Sequence, residues 1–67
     1  MSITLKAARV NIGLNQKEAA EALGISKATI QHYESGDSYP DIIVLKKIED
    51  LYHIPYANIN FLPKKRA

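Results

Sequence analysis

The sequence predicts an all-α protein, a compact five-helix bundle in one domain. Apolar residues recur at spacings of three and four along most of the chain, which is the spacing of one helical face. Capping residues and glycines separate these segments where helices are expected to begin and end. With 67 residues and no cysteine, the chain has room for one small core and no disulfide or thiolate zinc site to reinforce it. We therefore expect one domain over residues 1–62 and a short basic tail over 63–67.

Composition and charge argue against several classes of function. Nine basic and seven acidic residues give a formal net charge of +2, which is too small to identify a partner by itself. The two histidines, His32 and His53, have no partner at metal-ligand spacing, so we expect no metal and no cofactor. A glycine-rich phosphate loop and a nucleophile with a nearby base are both missing, so we do not expect an enzyme. No apolar run approaches the ~20 residues of a membrane span and no signal peptide is recognisable, which favours a cytoplasmic protein.

The first predicted helix begins after Ser2 or Thr4 and ends at Gly13. One face of this helix would carry Ile3, Leu5, Ala8, Arg9 and Ile12. Arg9 stands among apolar positions on that face, where an unpaired charge is unfavourable. We therefore expect Arg9 to be paired.

The next two predicted helices are joined by a tight turn. Asn15 can cap the first of them, and Ala19, Ala20 and Leu23 give that helix a narrow apolar face. Gly24 would end the first of these helices in a left-handed conformation, and Ser26 would cap the second. The second helix would begin at Lys27, carry Ile30 and Tyr33 on its inner face and end at Gly36. This is a helix-turn-helix pattern, whose second helix can enter a DNA major groove.

Residues 14–36 resemble the DNA-binding domain of phage repressors and Cro proteins, the Xre-type helix-turn-helix family. The matching features are Leu14-Asn15-Gln16, Ala20, Leu23-Gly24-Ile25-Ser26, Thr29-Ile30 and Tyr33-Glu34-Ser35-Gly36, with Arg9 upstream and Leu45, Ile48, Tyr52 and Ile54 downstream. The resemblance implies a bundle of the lambda-repressor-like DNA-binding type, with the helix-turn-helix at residues 16–35. It also implies that Glu34 pairs with Arg9 and ties the first helix to the end of the third.

The outward face of the helix that begins at Lys27 is the candidate base-reading surface. Its candidates are Lys27, Ala28, Gln31 and His32. Lys27 can donate to guanine O6 and N7, Gln31 can pair with adenine, and the methyl group of Ala28 suits the methyl group of thymine. Most such helix faces are only exposed to solvent. Here DNA contact is favoured for two reasons: no acidic residue occurs from Gly24 to Tyr33, and the second helix of this motif can enter the major groove.

A second set of residues is expected at the DNA backbone, or at both backbone and bases. It comprises Asn15, Gln16, Ser26, Thr29, Ser35 and Tyr39. Gln16 stands at a helix start, where backbone N–H groups favour an anion, so we assign it to a phosphate. Members of the family often carry basic residues in the loop after Gly36, whereas this chain has Asp37 and Asp41, which weakens the case for phosphate contacts there.

The fourth predicted helix is capped by Asp41 and runs to about Tyr52. The residues expected on its core side are Ile42, Leu45, Ile48 and Tyr52. Ile43 and Val44 would then point away from the core, either as a harmless exposed pair or as a surface for a protein partner. His53 stands where the family usually has glycine, which predicts a slightly strained turn.

A short fifth helix is predicted from Pro55 to about Asn60, because proline suits the first turn of a helix. The apolar residues near it that the core does not need are candidate dimer contacts: Tyr56, Phe61 and Leu62. We therefore expect a homodimer, at least on DNA.

These observations predict a sequence-specific DNA-binding transcriptional regulator of the phage or bacterial Cro or repressor type. Such a protein acts by occupying a double-stranded DNA operator, here as a dimer. The alternative is a protein-interaction module, such as an antitoxin or anti-repressor, for which DNA binding is secondary.

Overall fold

The computed structural model describes residues 2–61, and within them the chain forms four α-helices and one two-stranded sheet. In chain order the elements are β1 (Ile3–Thr4), α1 (Leu5–Asn11), α2 (Gln16–Leu23), α3 (Lys27–Ser35), α4 (Ile42–Tyr52) and β2 (Ile59–Asn60). A single 3₁₀ turn, Tyr56–Asn58, leads into β2. Leu62 and the predicted tail at 63–67 lie outside the described residues.

Side-chain caps and left-handed glycines set the ends of α2 and α3. The side chain of Asn15 accepts a hydrogen bond from the N–H of Glu18 at 2.8 Å, and Glu18 accepts one from the N–H of Asn15 at 2.9 Å. Gly24 and Gly36 follow the two helices with φ angles of 73° and 86°, which glycine adopts without a Cβ clash. The turn between the two helices is therefore specified by the residues on either side of it.

The core lies where α2 and α3, the two helices of the helix-turn-helix, meet α1, α4 and β2. Its buried residues are Leu5, Ala8, Ala19, Ala20, Leu23, Ile30, Ile48, Tyr52 and Ile59. Ala19 and Ala20 are buried on α2, and their small side chains let this helix pack against both α3 and α4. On α3 only Ile30 is fully buried, so most of that helix remains at the surface.

The fifth helix predicted from Pro55 to Asn60 is wrong, because the chain forms the 3₁₀ turn and then β2. Ile59 is paired with Ile3, and Asn60 with Thr4, in a parallel arrangement. A helix over residues 55–60 would make only about 1.7 turns, whereas the strand pairing gives both ends of the chain backbone partners and buries Ile59. The same pairing delays the start of α1 to Leu5, with Thr4 as its cap.

The predicted orientation of α4 is also partly wrong. Ile42, expected in the core, is 62% exposed, and Val44, expected at the surface, packs against the core. Leu45, also expected in the core, is half-buried in a separate surface groove. The sequence offers two apolar stripes at helical spacing, and the helix buries the one made by Val44, Ile48, Leu51 and Tyr52. Ile43 is 66% exposed, so it alone remains of the expected partner surface.

Candidate nucleic-acid interface

The turn between α2 and α3 presents the first turn of α3 to solvent. The N–H of Ile25 donates to the carbonyl oxygen of Ala20 at 3.0 Å, and Ile25 packs against the core. The hydroxyl of Ser26 then accepts a hydrogen bond from the N–H of Thr29 at 3.1 Å, so the helix begins at Lys27. Ser26 and Thr29 also share a hydrogen bond of 2.9 Å between their hydroxyls. Both hydroxyls therefore already serve the start of the helix.

The candidate base-reading residues lie on one exposed face of α3. Lys27, Ala28, Gln31 and His32 are all exposed, and their spacing of one, three and one residues keeps them on the same side of a helix. Ile30 points the opposite way into the core. The structure therefore brings these four side chains together.

Arg9 and Glu34 form a buried ion pair between α1 and α3. Nε of Arg9 donates to Oε2 of Glu34 at 2.6 Å and Nη2 donates to Oε1 at 3.2 Å, while Nη1 donates to the carbonyl oxygen of Leu14 at 2.8 Å. The two side chains are only 8% and 6% exposed. The hydrogen bond to Glu34 raises the pKa of Arg9 above its ordinary value, although burial acts in the opposite direction. This pair fixes α3 relative to α1 and to the loop before α2.

Gln16 extends the ion pair toward the surface of α3. Its Nε2 donates to Oε1 of Glu34 at 3.1 Å, and its Oε1 accepts a hydrogen bond from Nε2 of Gln31 at 3.3 Å. A side-chain amide has two N–H donors, so Gln16 keeps one for another partner. The residue assigned to a phosphate is therefore linked directly to one assigned to a base.

The end of α3 carries a polar cluster that differs from the sequence-based interpretation. His32 and Ser35 both approach Asp37: Nδ1 of His32 lies 3.4 Å from Oδ2 of Asp37, and the hydroxyl of Ser35 donates to the same oxygen at 3.0 Å. His32 and Asp37 remain more than half exposed. An acidic group therefore stands beside two residues that were assigned to DNA.

Two further lysines, Lys6 and Lys17, lie on the same side of the molecule as Lys27. They line a cleft of about 580 Å³ together with Arg9, Asn15, Gln16 and Lys27. No sequence pattern marks Lys6 and Lys17 as neighbours, because their approach depends on how α1 packs beside the start of α2.

The candidate dimer residues surround a different, apolar groove. The groove has a volume of about 250 Å³ and is lined by Tyr39, Pro40, Leu45, Tyr56 and Phe61. Tyr56 is 51% exposed, whereas Phe61 packs partly against the core. The rings of Tyr39 and Phe61 meet edge to face, with their centroids 6.4 Å apart. Tyr39, expected near the DNA backbone, is thus placed beside the candidate dimer contacts. Leu62, the third of these contacts, lies outside the described residues.

A family model described as helix-turn-helix matches residues 5–58 of the chain. The match takes in the whole of α1, α2, α3 and α4. The chain therefore belongs to this helix-turn-helix family, which confirms the resemblance found in the sequence. No solved structure matches the chain.

Two curated relatives show the kind of protein to which the chain is similar. It is 35% identical over 51 residues to the cryptic phage CTXphi transcriptional repressor RstR of Vibrio cholerae, a match that covers 76% of this chain and 46% of that protein. It is 42% identical over 50 residues to the HTH-type transcriptional regulator ImmR of Bacillus subtilis strain 168, covering 75% of this chain and 39% of that protein. The chain thus spans less than half the length of each of these relatives.

Within residues 2–61, none of the helices is long and apolar enough to cross a membrane.

Proposed function

We propose that the protein is a sequence-specific DNA-binding transcriptional regulator of the phage or bacterial repressor type, working in the cytoplasm by occupying an operator. The observation that carries this proposal is the exposed face of α3, where Lys27, Ala28, Gln31 and His32 stand together on the second helix of a helix-turn-helix. A helix of this kind can insert its first turns into the major groove of DNA. The names of the two relatives, a transcriptional repressor and a transcriptional regulator, support the same reading.

Within this surface, reading and positioning fall to different residues. Lys27 begins α3 and is exposed, so we assign it to a base edge, with Ala28 and Gln31 beside it. Gln16 has one amide hydrogen left after its bond to Glu34, and we assign that hydrogen to a phosphate. Because Gln16 is also bonded to Gln31, the phosphate contact sets the position of a base-reading side chain.

The proposed regulator binds its operator as a homodimer. The apolar groove beside Tyr56 and Phe61 provides the contact surface, since two of the aromatic residues that line it, Tyr39 and Tyr56, are about half exposed. A two-fold dimer would place two copies of α3 in successive major grooves, about 34–36 Å apart, on a pseudo-palindromic site.

A gel-shift titration against the DNA upstream of the protein's own gene tests the proposal. Wild type is expected to bind this DNA more tightly than a scrambled duplex of the same length. Ala28→Glu places a carboxylate on the outward face of α3 and should weaken binding more than tenfold, because juxtaposed like charges cost several kcal/mol. Ala22→Glu, on the exposed side of α2, is the matched control and should bind nearly as well as wild type. Equal affinities of wild type and Ala28→Glu would contradict the proposal.

A protein-interaction module is the second candidate function, and one observation favours it. Ile42 and Ile43 are adjacent on α4 and are 62% and 66% exposed, which is unusual for two isoleucines together. Under this reading Ile43→Lys abolishes binding of a protein partner and leaves the gel shift unchanged. Val44 has no part in it, because it packs against the core.

A further inference from the structure

Three lysines from three different helices converge on the cleft of about 580 Å³. Lys6 belongs to α1, Lys17 to α2 and Lys27 to α3, and all three are exposed. None of them takes part in an ion pair within residues 2–61. The fourth cation of the cleft, Arg9, has its charge matched by Glu34. The cleft therefore carries three positive charges that no described residue balances.

The remaining lining of the cleft is polar and contains no carboxylate. It is completed by Asn15 and Gln16. Gln16 is held in place by Glu34 and Gln31, so its spare amide hydrogen is fixed in direction rather than free to rotate. A cleft with three ammonium groups, an oriented N–H donor and no acidic side chain suits an oxyanion.

We propose that this cleft binds phosphodiester groups of the DNA backbone, with Lys6 and Lys17 as its gripping cations. The inference rests on the proposed function and extends it to Lys6 and Lys17, two residues for which no sequence pattern predicts a DNA contact. The cleft adjoins the outward face of α3 through Lys27, so a duplex that follows α3 passes over it. Lysine suits this role, because a phosphate needs charge and the flexible lysine stem follows the backbone without reading sequence. Contacts of this kind release counterions from the duplex and make binding depend on salt.

The test is the salt dependence of binding to a duplex of random sequence, measured for wild type, Lys6→Gln, Lys17→Gln and the double variant. Each lysine that contacts a phosphate contributes about 0.9 to the slope of log K against log salt concentration. This slope is negative, and we expect each single variant to lower its magnitude by about 0.9 and the double variant by nearly 2. The matched control is Lys46→Gln with Lys47→Gln, two exposed lysines of α4 that do not line the cleft, and its slope should equal that of wild type.

The possible outcomes separate this inference from the proposed function. If wild type binds duplexes and the double variant keeps the wild-type slope, the cleft does not grip phosphates and the inference fails, while the regulator proposal stands. If wild type binds no duplex at any salt concentration, both fail. Inorganic phosphate, titrated by NMR against wild type and the double variant, identifies a small-anion site. Loss of phosphate binding in the double variant without any change in its DNA slope would overturn the inference.

Discussion

Arg9, Glu34, Gln16 and Gln31 form one chain of hydrogen bonds from the buried side of α1 to the exposed face of α3. Its buried end holds the helices together, and its exposed end positions two residues assigned to DNA. Stability and recognition are therefore linked at the level of single side chains. A change in Glu34 is expected to affect both.

Removing one partner of the ion pair should be strongly destabilising. Arg9→Met leaves the carboxylate of Glu34 buried without its cation, and we expect the free energy of unfolding to fall by about 3–5 kcal/mol. Urea denaturation measures this change. The double variant Arg9→Met with Glu34→Leu should lose less than the sum of the two single variants, since it strands no charge. Simple additivity would show that the pair contributes nothing as a pair.

Tyr52 is the next residue whose environment gives a specific expectation. Its hydroxyl is buried and has no hydrogen-bond partner among residues 2–61. Burial raises the pKa of Tyr52 to about 12, with the charge of Glu34 adding to the increase and that of Arg9 opposing it. The unfolded chain releases this proton near pH 10. The contribution of this pKa difference to the free energy of unfolding is therefore complete below pH 10 and is lost as the pH rises toward 12.

Tyr52→Phe should accordingly have two effects. Removing the unsatisfied hydroxyl should raise the free energy of unfolding at pH 7 by about 1–3 kcal/mol. The decline of stability between pH 10 and pH 12 should also become shallower than in wild type. Chemical denaturation of both proteins across this pH range measures the two effects together. Parallel pH profiles would show that Tyr52 titrates in the folded protein as it does in the unfolded chain.

At the scale of elements, local sequence specifies the ends of the helices, and contacts between distant residues decide the rest. Asn15, Ser26, Gly24 and Gly36 act within a few residues of their own positions, so the helix-turn-helix and its exposed face follow from sequence patterns. The pairing of β1 with β2 joins opposite ends of the chain, and no local pattern marks it. Which face of α4 is buried depends in the same way on its packing against α2.

The same distinction explains the candidate site. The four outward residues of α3 follow from helical spacing alone. The cleft residues Lys6 and Lys17 lie on different helices, and only the packing of those helices brings them together. The approach of Asp37 to His32 and Ser35 depends on how the chain turns after Gly36, which the pattern of charges does not reveal.

The end of α4 provides a test at the scale of an element. His53 closes this helix with a φ angle of 57°, the only non-glycine residue with positive φ within residues 2–61. His53→Gly should raise the free energy of unfolding by about 0.5–1 kcal/mol, because glycine removes the left-handed strain but gains freedom in the unfolded chain. His53→Ala keeps the strain and serves as the control. Equal thermal stabilities of the two variants would show that the turn is not strained.

At the scale of the whole molecule, the surface proposed for DNA and the apolar groove are separate. The lysine cleft adjoins the start of α3, whereas the groove is formed by α4, the loop before it and the segment around β2. The four helices thus support the surface proposed for DNA and, apart from it, the groove proposed for a second copy of the chain. On this proposal, dimerisation and DNA binding can be altered independently.

Tyr56→Arg should weaken the dimer without unfolding the protein, because Tyr56 is half exposed and Phe61 keeps its own contacts with the core. Sedimentation equilibrium should show a shift from dimer toward monomer, and operator affinity should fall with it. Ile43→Arg, a similar change on the exposed side of α4, should leave the dimer intact. A dimer that survives Tyr56→Arg but is lost in Ile43→Arg would place the contact on α4.

The most direct test of the whole account is a binding selection over randomised operator half-sites, carried out with wild type, Lys27→Ala and Gln16→Ala. Lys27→Ala should lose about 1–3 kcal/mol on the preferred site and relax the preference at one base pair. Gln16→Ala should weaken binding to all sequences through the lost phosphate contact. Because Gln16 also holds Gln31, any loss of base preference should be confined to the base pair that Gln31 reads. If Lys27→Ala keeps the full base preference of wild type, the exposed start of α3 does not read DNA.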